Sequence, residues 1–169
     1  MPFGPTVNLA ALDGNNGFAI NGSAAGDNSG FSVSSAGDVN GDGVDDLIIG
    51  ATGASSNGNN GAGASYVVFG RSGGFSSSLE LSTLDGSNGF VINGSAASDN
   101  SGGSVSSAGD VNGDGVDDLI IGATGASSNG NNGAGASYVV FGRSGGFSSS
   151  LELSTLDGSN GFVINGSAA

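Results

Sequence analysis

Short apolar segments alternate along the whole chain with stretches rich in glycine, serine and asparagine. Segment 31–37 begins by alternating apolar residues with serines, which is the period-two pattern of a half-buried strand. Segments 46–51 and 64–70 are runs rich in β-branched or aromatic residues, and 89–94 is a similar run bounded by glycines. The pattern therefore predicts four short strands joined by turns, and no long helices.

The four segments recur because the sequence repeats with a period of 72 residues. The two full copies differ at only four positions. A unit this short and glycine-rich cannot bury its own apolar faces and must pack against a neighbouring copy. We divide the chain into an N-terminal lead (1–11), repeat 1 (12–83), repeat 2 (84–155) and a partial third repeat that carries one closing strand (156–169).

Segment 71–88 is predicted to be a long connection between the third and fourth strands. Its apolar residues are more typical of core anchors than of a binding surface, and the same interpretation suits two aromatic residues of the third strand. The core residues predicted in this way are Phe75, Leu79, Leu81, Leu84, Tyr66 and Phe69.

Negative charge is concentrated in two short loops. Fifteen acidic residues and two arginines give a formal net charge of −13, which disfavours nucleic acid and anionic membrane surfaces as partners. The absence of cysteine excludes disulfides and thiolate metal sites, and the absence of histidine removes the commonest transition-metal ligand. No apolar segment is long enough for a membrane span or a signal peptide, so the export signal of a secreted parent protein lies outside this chain.

The acidic loop DVNGDGVDD occurs at 38–46 and again at 110–118. Side-chain oxygens stand at its positions 1, 3, 5 and 9, the glycine at position 6 permits a sharp turn, and the carbonyl at position 7 adds an oxygen. Such a set provides the six or so oxygens that Ca²⁺ prefers, about one ion per repeat and two per chain. The predicted metal ligands are Asp38, Asn40, Asp42, Val44 and Asp46, and in the second loop Asp110, Asn112, Asp114, Val116 and Asp118. Asp45 is predicted to face solvent, and Asp117 to lie outside the site.

Other interpretations of the loop are weaker. An EF-hand or dockerin loop has a bidentate glutamate at position 12, where this chain has Ile49. Mg²⁺ demands a tighter octahedron than so flexible a loop suggests, and transition metals favour nitrogen or sulfur. A plain turn with solvated carboxylates is disfavoured because the full nine-residue spacing occurs twice between predicted strands.

The segment SGFSVSSAGDVNGDGVDDLIIGATGAS at 29–55, its near-copy at 101–127, and the GAGASYVVFG that follows each of them resemble the FG-GAP repeat family. That family includes the blades of integrin α-subunit propellers and repeats of many bacterial extracellular proteins. The resemblance implies an all-β fold of β-propeller blades with four antiparallel strands each, about two blades per chain. It also implies a calcium loop between the first and second strands of each blade. The family's Phe-Gly is replaced by Ser29-Gly30, and its Gly-Ala-Pro ends in Thr52.

Three functions remain open at this stage. The first is a non-catalytic, integrin-like calcium-binding module for extracellular binding or cell adhesion, with a protein or glycan as ligand. A lectin-like propeller is the alternative, although the chain has no tryptophan and only two tyrosines for stacking on sugars. Part of a polysaccharide-acting enzyme is the third, disfavoured because histidine, lysine and cysteine are absent and near-identical blades give no unique centre.

Two blades are too few to close a propeller, which typically has about four to eight. We favour the interpretation that the chain is a fragment of a longer propeller. A chain that exchanges a strand between subunits is the alternative, because the closing-strand segment occurs three times and the other strands only twice. In either case the isolated chain is not expected to be a stable compact monomer, and a homo-oligomeric ring of three or four copies is expected if it folds.

Overall fold

The computed structural model describes residues 6, 8–128 and 130–167. The described part is all-β, as predicted, with three single-turn 3₁₀ helices at Leu9–Ala11, Leu81–Thr83 and Leu153–Thr155. None of the helices within these ranges is long and apolar enough to cross a membrane. The strands are β1 (Ala19–Asn21), β2 (Ser29–Gly37), β3 (Asp46–Ala51), β4 (Ala64–Val68), β5 (Ser78–Glu80), β6 (Gly89–Asn93), β7 (Ser101–Gly109), β8 (Asp118–Ala123), β9 (Ala136–Val140), β10 (Ser150–Glu152) and β11 (Gly161–Asn165).

Eight of these strands form two antiparallel four-stranded units. Blade 1 has the order β6-β4-β3-β2, and blade 2 has the order β11-β9-β8-β7. The predicted strand segments are therefore present, with bounds that shift by up to two residues. The fourth strand of each blade lies in the repeat that follows, β6 in repeat 2 and β11 in the partial third repeat. β4 is buried along its whole length, because it is a central strand with both of its faces covered.

The predicted connection 71–88 contains a short strand that the sequence pattern did not indicate. β5 pairs in parallel with β1, and its counterpart β10 pairs in parallel with β6, the outer strand of blade 1. The side chain of Asn93 donates a hydrogen bond of 2.7 Å to Glu152 across the second pairing. Each of these short strands therefore pairs with the closing-strand segment at the start of its own repeat, and the nine strands expected become eleven in the described ranges.

The main core lies between the two blades. Phe90, Ile92 and Ile48 of blade 1 are fully buried and belong to one cluster with Leu119 and Ile121 of blade 2. The ring of Phe90 also stacks on Phe147 of repeat 2, with 4.1 Å between ring centroids. The prediction that one repeat needs a neighbour to cover its apolar face is borne out by this contact.

A smaller core lies on the opposite face of blade 1. It contains Ile49, Tyr66 and Val68, and Ile20 of β1 packs against it. The anchors predicted in the connection lie here as well, with Leu81 buried and the other three partly buried. Phe69 is buried in the main core, so the predicted core residues are confirmed as Phe75, Leu79, Leu81, Leu84, Tyr66 and Phe69.

Candidate metal-binding loops

The predicted ligands stand together in the connection between the first and second strands of each blade. The first set begins directly after β2 and ends at Asp46, the first residue of β3. The second set occupies the same place between β7 and β8 and ends at Asp118. Two identical nine-residue sequences therefore occupy equivalent hairpins in the two blades.

The sharp turn predicted at position 6 is present in both loops. Gly43 has φ of +86° and Gly115 has φ of +89°, a left-handed conformation that side chains other than glycine rarely adopt. A Cβ atom placed on either residue meets no atom within 4 Å. Glycine is therefore required here by backbone conformation and not by lack of space.

Loop amides hold the side chains of the first site in place. The carboxylate of Asp38 accepts hydrogen bonds from the N–H of Asp42 at 3.0 Å and from that of Gly43 at 2.8 Å. The side-chain oxygen of Asn40 accepts from the N–H of Asp42 at 2.8 Å, and Asp42 in turn accepts from Val44 at 2.9 Å. Positions 1, 3 and 5 are consequently turned towards the inside of one tight loop.

Asp46, at position 9, is fully buried. Its carboxylate accepts hydrogen bonds from the N–H of Val39 at 3.1 Å and from that of Gly70 at 2.8 Å. Burial raises the pKa of Asp46 to about 6; the two N–H bonds oppose that rise, and the charges of Asp42 and Asp38 add to it. An ionised Asp46 is therefore costly in the folded chain unless positive charge lies near it.

The second loop repeats this arrangement. Asp110 accepts from the N–H groups of Asp114 and Gly115, each within 3.0 Å. Asp118 is fully buried and accepts from Val111 and Gly142, each at 2.9 Å. The remaining ligands predicted for this loop, Asn112 and Val116, also take part in its hydrogen bonds.

The donor set suits a hard cation by its chemistry, since each loop offers three carboxylates, one amide oxygen and the carbonyl at position 7. In the ranges that the structure describes, no three acidic side chains surround one point as metal ligands. Each carboxylate instead accepts backbone N–H groups, and a carboxylate oxygen that accepts one such bond keeps a further lone pair. Asp38, Asn40, Asp42, Val44 and Asp46 are thus the residues that would hold an ion, and their equivalents would do so in the second loop.

A residue of blade 2 that was predicted to lie outside the second site contacts the first loop. Asp117 of blade 2 reaches the first loop, where its carboxylate accepts a 3.0 Å hydrogen bond from the N–H of Asp38. Its own N–H donates to the Asp38 carbonyl at 3.2 Å. A Cβ atom on Gly37 would lie 2.1 Å from the Asp117 carboxylate, so this contact requires glycine there. Asp45 is the counterpart of Asp117 in repeat 1, and it is exposed as predicted. The two aspartates differ in their contacts because blade 2 packs on blade 1 and no described part of the chain packs on the other side of blade 1 in the same way.

The raised pKa of Asp46 predicts how the stability of the metal-free chain varies with pH. The folded state holds this proton up to pH about 6, whereas the ordinary value is 3.8. The folded state therefore binds more protons in that window, and stability rises as the pH falls from 7 towards 5. The measurement is the urea midpoint in a chelator at several pH values. Asp46→Asn is expected to reduce this dependence, and a midpoint that falls between pH 7 and 5.5 would contradict the assignment.

Comparison with known proteins identifies the repeats. No curated protein is significantly similar to the chain. The family model of the FG-GAP repeat matches residues 29–68 and again residues 101–140. Each match runs from the first to the third strand of a blade and includes the acidic loop. Residues 29–68 and 101–140 are therefore FG-GAP repeats, one in each blade.

Proposed function

We propose that the chain is a non-catalytic propeller module that binds one Ca²⁺ in each acidic loop and contacts a partner outside the cell. The observation that carries the proposal is the pair of equivalent loops, each of which carries five residues with oxygen donors at the same spacing between the first two strands of a blade. Calcium neutralises carboxylates that otherwise repel one another in each loop. The ion then rigidifies the hairpin, and the loops of neighbouring blades present a surface to the partner.

The extracellular role rests on the family. FG-GAP repeats are typical of integrin-like propeller modules and are generally found in extracellular or surface proteins. Adhesion to a protein ligand is the role that this likeness supports best. A non-catalytic role is supported by the residue types, because the chain has no histidine, lysine or cysteine to act as base or nucleophile.

A glycan is the alternative partner, and the two tyrosines and Phe147 give it little support. Tyr66 and Tyr138 are both buried, so neither offers a ring face to a sugar. The guanidinium of Arg143 lies over the ring of Phe147 at 4.6 Å and covers that face as well. Glycan-array binding would favour the lectin-like function, and turnover of a polysaccharide would contradict a non-catalytic one.

The calcium assignment is tested with a matched pair of variants in the first loop. Asp42→Ala removes a predicted ligand and is expected to weaken calcium binding at that loop by about tenfold or more, because mutation of the groups that only support metal ligands already costs about 10–100-fold. Asp45→Ala removes an exposed carboxylate three residues away and is expected to leave the affinity nearly unchanged. Calorimetric titration of dilute protein with CaCl₂ measures both. Equal affinities in the two variants would show that the ligand set is wrong.

A further inference from the structure

Because the two repeats are nearly identical, each position can be compared with its counterpart 72 residues away. One face of blade 1 is covered by blade 2, and the same face of blade 2 is open. Phe90 and Ile92 are fully buried, whereas Phe162 is 40% exposed and Ile164 is 51% exposed. Val39 is likewise fully buried, whereas its counterpart Val111 is 52% exposed. We call the open surface formed by Val111, Ile120, Phe162 and Ile164 the tail face.

The opposite surface of blade 1 shows the complementary difference. Leu119 of blade 2 packs against blade 1 and is 1% exposed, whereas Leu47 is 37% exposed. Val33 is 68% exposed, and its counterpart Val105 packs against the core between the blades. We call the surface formed by Ser29, Gly30, Phe31, Val33 and Leu47 the head face.

A specific fit joins the two blades at the start of β7. Ser101 and Gly102 enter a recess in blade 1 that is formed by Ser32, Gly50 and Ala62, and we call this recess the socket. The N–H of Ser101 donates to the carbonyl of Ala62 at 2.9 Å. The carbonyl of Gly102 accepts from the hydroxyl of Ser32 at 2.8 Å. A Cβ atom on Gly50 would lie 2.0 Å from that carbonyl, so the socket exists only because this residue is glycine.

The same socket is present in blade 2, and there it is open. A cavity of about 350 Å³ is lined by Ser104, Gly122, Ala134 and Ile164, among others. Ser104, Gly122 and Ala134 are the counterparts of Ser32, Gly50 and Ala62, which form the filled socket. The segment that would fill the cavity, by the same correspondence, is Ser29-Gly30.

We propose that a second copy of this chain docks its head face onto the tail face and repeats the contact between blades 1 and 2. Ser29-Gly30 of the second copy enters the open socket of the first. Its Asp45 reaches the N–H of Asp110, as Asp117 reaches Asp38 within one chain. Two docked positions differ from the internal contact: Phe31 replaces Gly103, and Gly26 replaces Ser98, whose N–H donates to the carbonyl of Asn60 at 2.9 Å. That bond is made by the backbone, so it does not depend on the serine side chain. A Cβ atom on Gly103 meets no atom closer than 3.5 Å, so a side chain has room to begin there.

Docking brings two strands into competition for the same place beside β5 of the second copy. β11 of the first copy would lie beside β5 of the second, as β6 lies beside β10, but β1 of the second copy already occupies that place. β1 has three residue pairs with β5, and Phe18 stacks on Phe75 at 4.1 Å. In the proposed assembly β11 replaces β1, because it offers the same pairing and stacking and has the larger Val163 where β1 has Ala19.

The contact is heterologous, since two different faces meet, so it continues from copy to copy until a ring closes. Three or four copies would supply six or eight blades, within the usual range for propellers. Each copy carries a formal charge of −13, so association is expected to strengthen with ionic strength as repulsion is screened.

The test uses lysine substitutions on the two faces, which make each chain less negative and so reduce repulsion between copies. Val33→Lys alters the head face and Ile164→Lys the tail face, and each is expected to weaken association by roughly a hundredfold or more, because an unpaired charge would be buried. Ser154→Lys, at an exposed position outside both faces, is the control. Sedimentation velocity over a range of concentrations measures the mass, and circular dichroism checks that each variant is folded.

Wild type and Ser154→Lys are expected to exceed the 15.8 kDa of one chain as concentration rises. Each face variant alone is expected to stay at that mass, and an equal mixture of the two to reach twice that mass, because one intact head face then meets one intact tail face. Phe18→Ala is expected to strengthen association by weakening β1. Wild-type protein that stays monomeric, a face variant that self-associates normally, or a mixture that does not associate would overturn the proposal. Weaker association in Phe18→Ala would overturn the replacement of β1 by β11.

Discussion

Replacing Phe90 with alanine is expected to lower the free energy of unfolding by about 3–5 kcal/mol, as large buried-to-alanine changes do. The same replacement at Phe162 is expected to cost about 1–2 kcal/mol, because 40% of that residue is already exposed to water. Phe90 is fully buried, stacks on Phe147 and lies 5.9 Å from the ring of Phe69. Its loss leaves a cavity between the two blades, whereas Phe162 is partly exposed, so its loss removes less buried apolar surface.

The comparison is sharp because the two phenylalanines have the same neighbours in sequence and the same place in their blades. Urea denaturation of dilute protein, followed by circular dichroism, gives both free energies. Equal losses would show either that the blades do not pack as described or that the tail face is buried in solution. At higher concentration the cost at Phe162 is expected to grow, since docking of a second copy would bury it.

These two residues also show where prediction from sequence ends. The strands followed from local patterns, because alternation and β-branched runs record which faces of a strand are buried. The burial of Phe90 and the exposure of Phe162 did not, because both stand in the same GFVIN segment. Only the presence of a neighbouring blade distinguishes them. β5 and β10 were missed for a related reason, since a strand of three residues is stabilised by its partner and leaves no periodic signal.

The candidate metal site, like the fold, could be predicted from the sequence only in part. Spacing within nine residues was enough to predict the side-chain donors and the glycine turn, because these depend on the conformation of one loop. The partners of Asp46 and Asp38 lie elsewhere in the chain: Gly70 is 24 residues from Asp46, and Asp117 is 79 residues from Asp38. Contacts of that range depend on how strands and blades are stacked. The sequence therefore predicted the loop but not the long-range hydrogen bonds that hold it in place.

Calcium is expected to stabilise the fold strongly. A ligand that binds only the folded state at a hundred times its dissociation constant adds about 2.7 kcal/mol per site, so two independent sites add about 5 kcal/mol. For a chain of this size that corresponds to a rise in the unfolding midpoint of roughly 10–20 °C. The physical reason is the crowding of carboxylates in each loop, including the buried Asp46, whose pKa is raised to about 6 by burial when no cation is near.

Thermal unfolding in calcium and then in a chelator measures this effect, and Mg²⁺ at the same concentration is the control for ionic strength. The two loops are expected to contribute unequally in dilute protein. The N–H of Asp38 in the first loop donates a hydrogen bond to the Asp117 carboxylate, whereas the N–H of Asp110 would donate the equivalent bond to the Asp45 carboxylate of a docked second copy. Asp42→Ala should therefore remove more of the calcium-dependent rise than Asp114→Ala. A midpoint that calcium leaves unchanged would refute both metal sites, and equal effects of the two variants would refute the role assigned to Asp117.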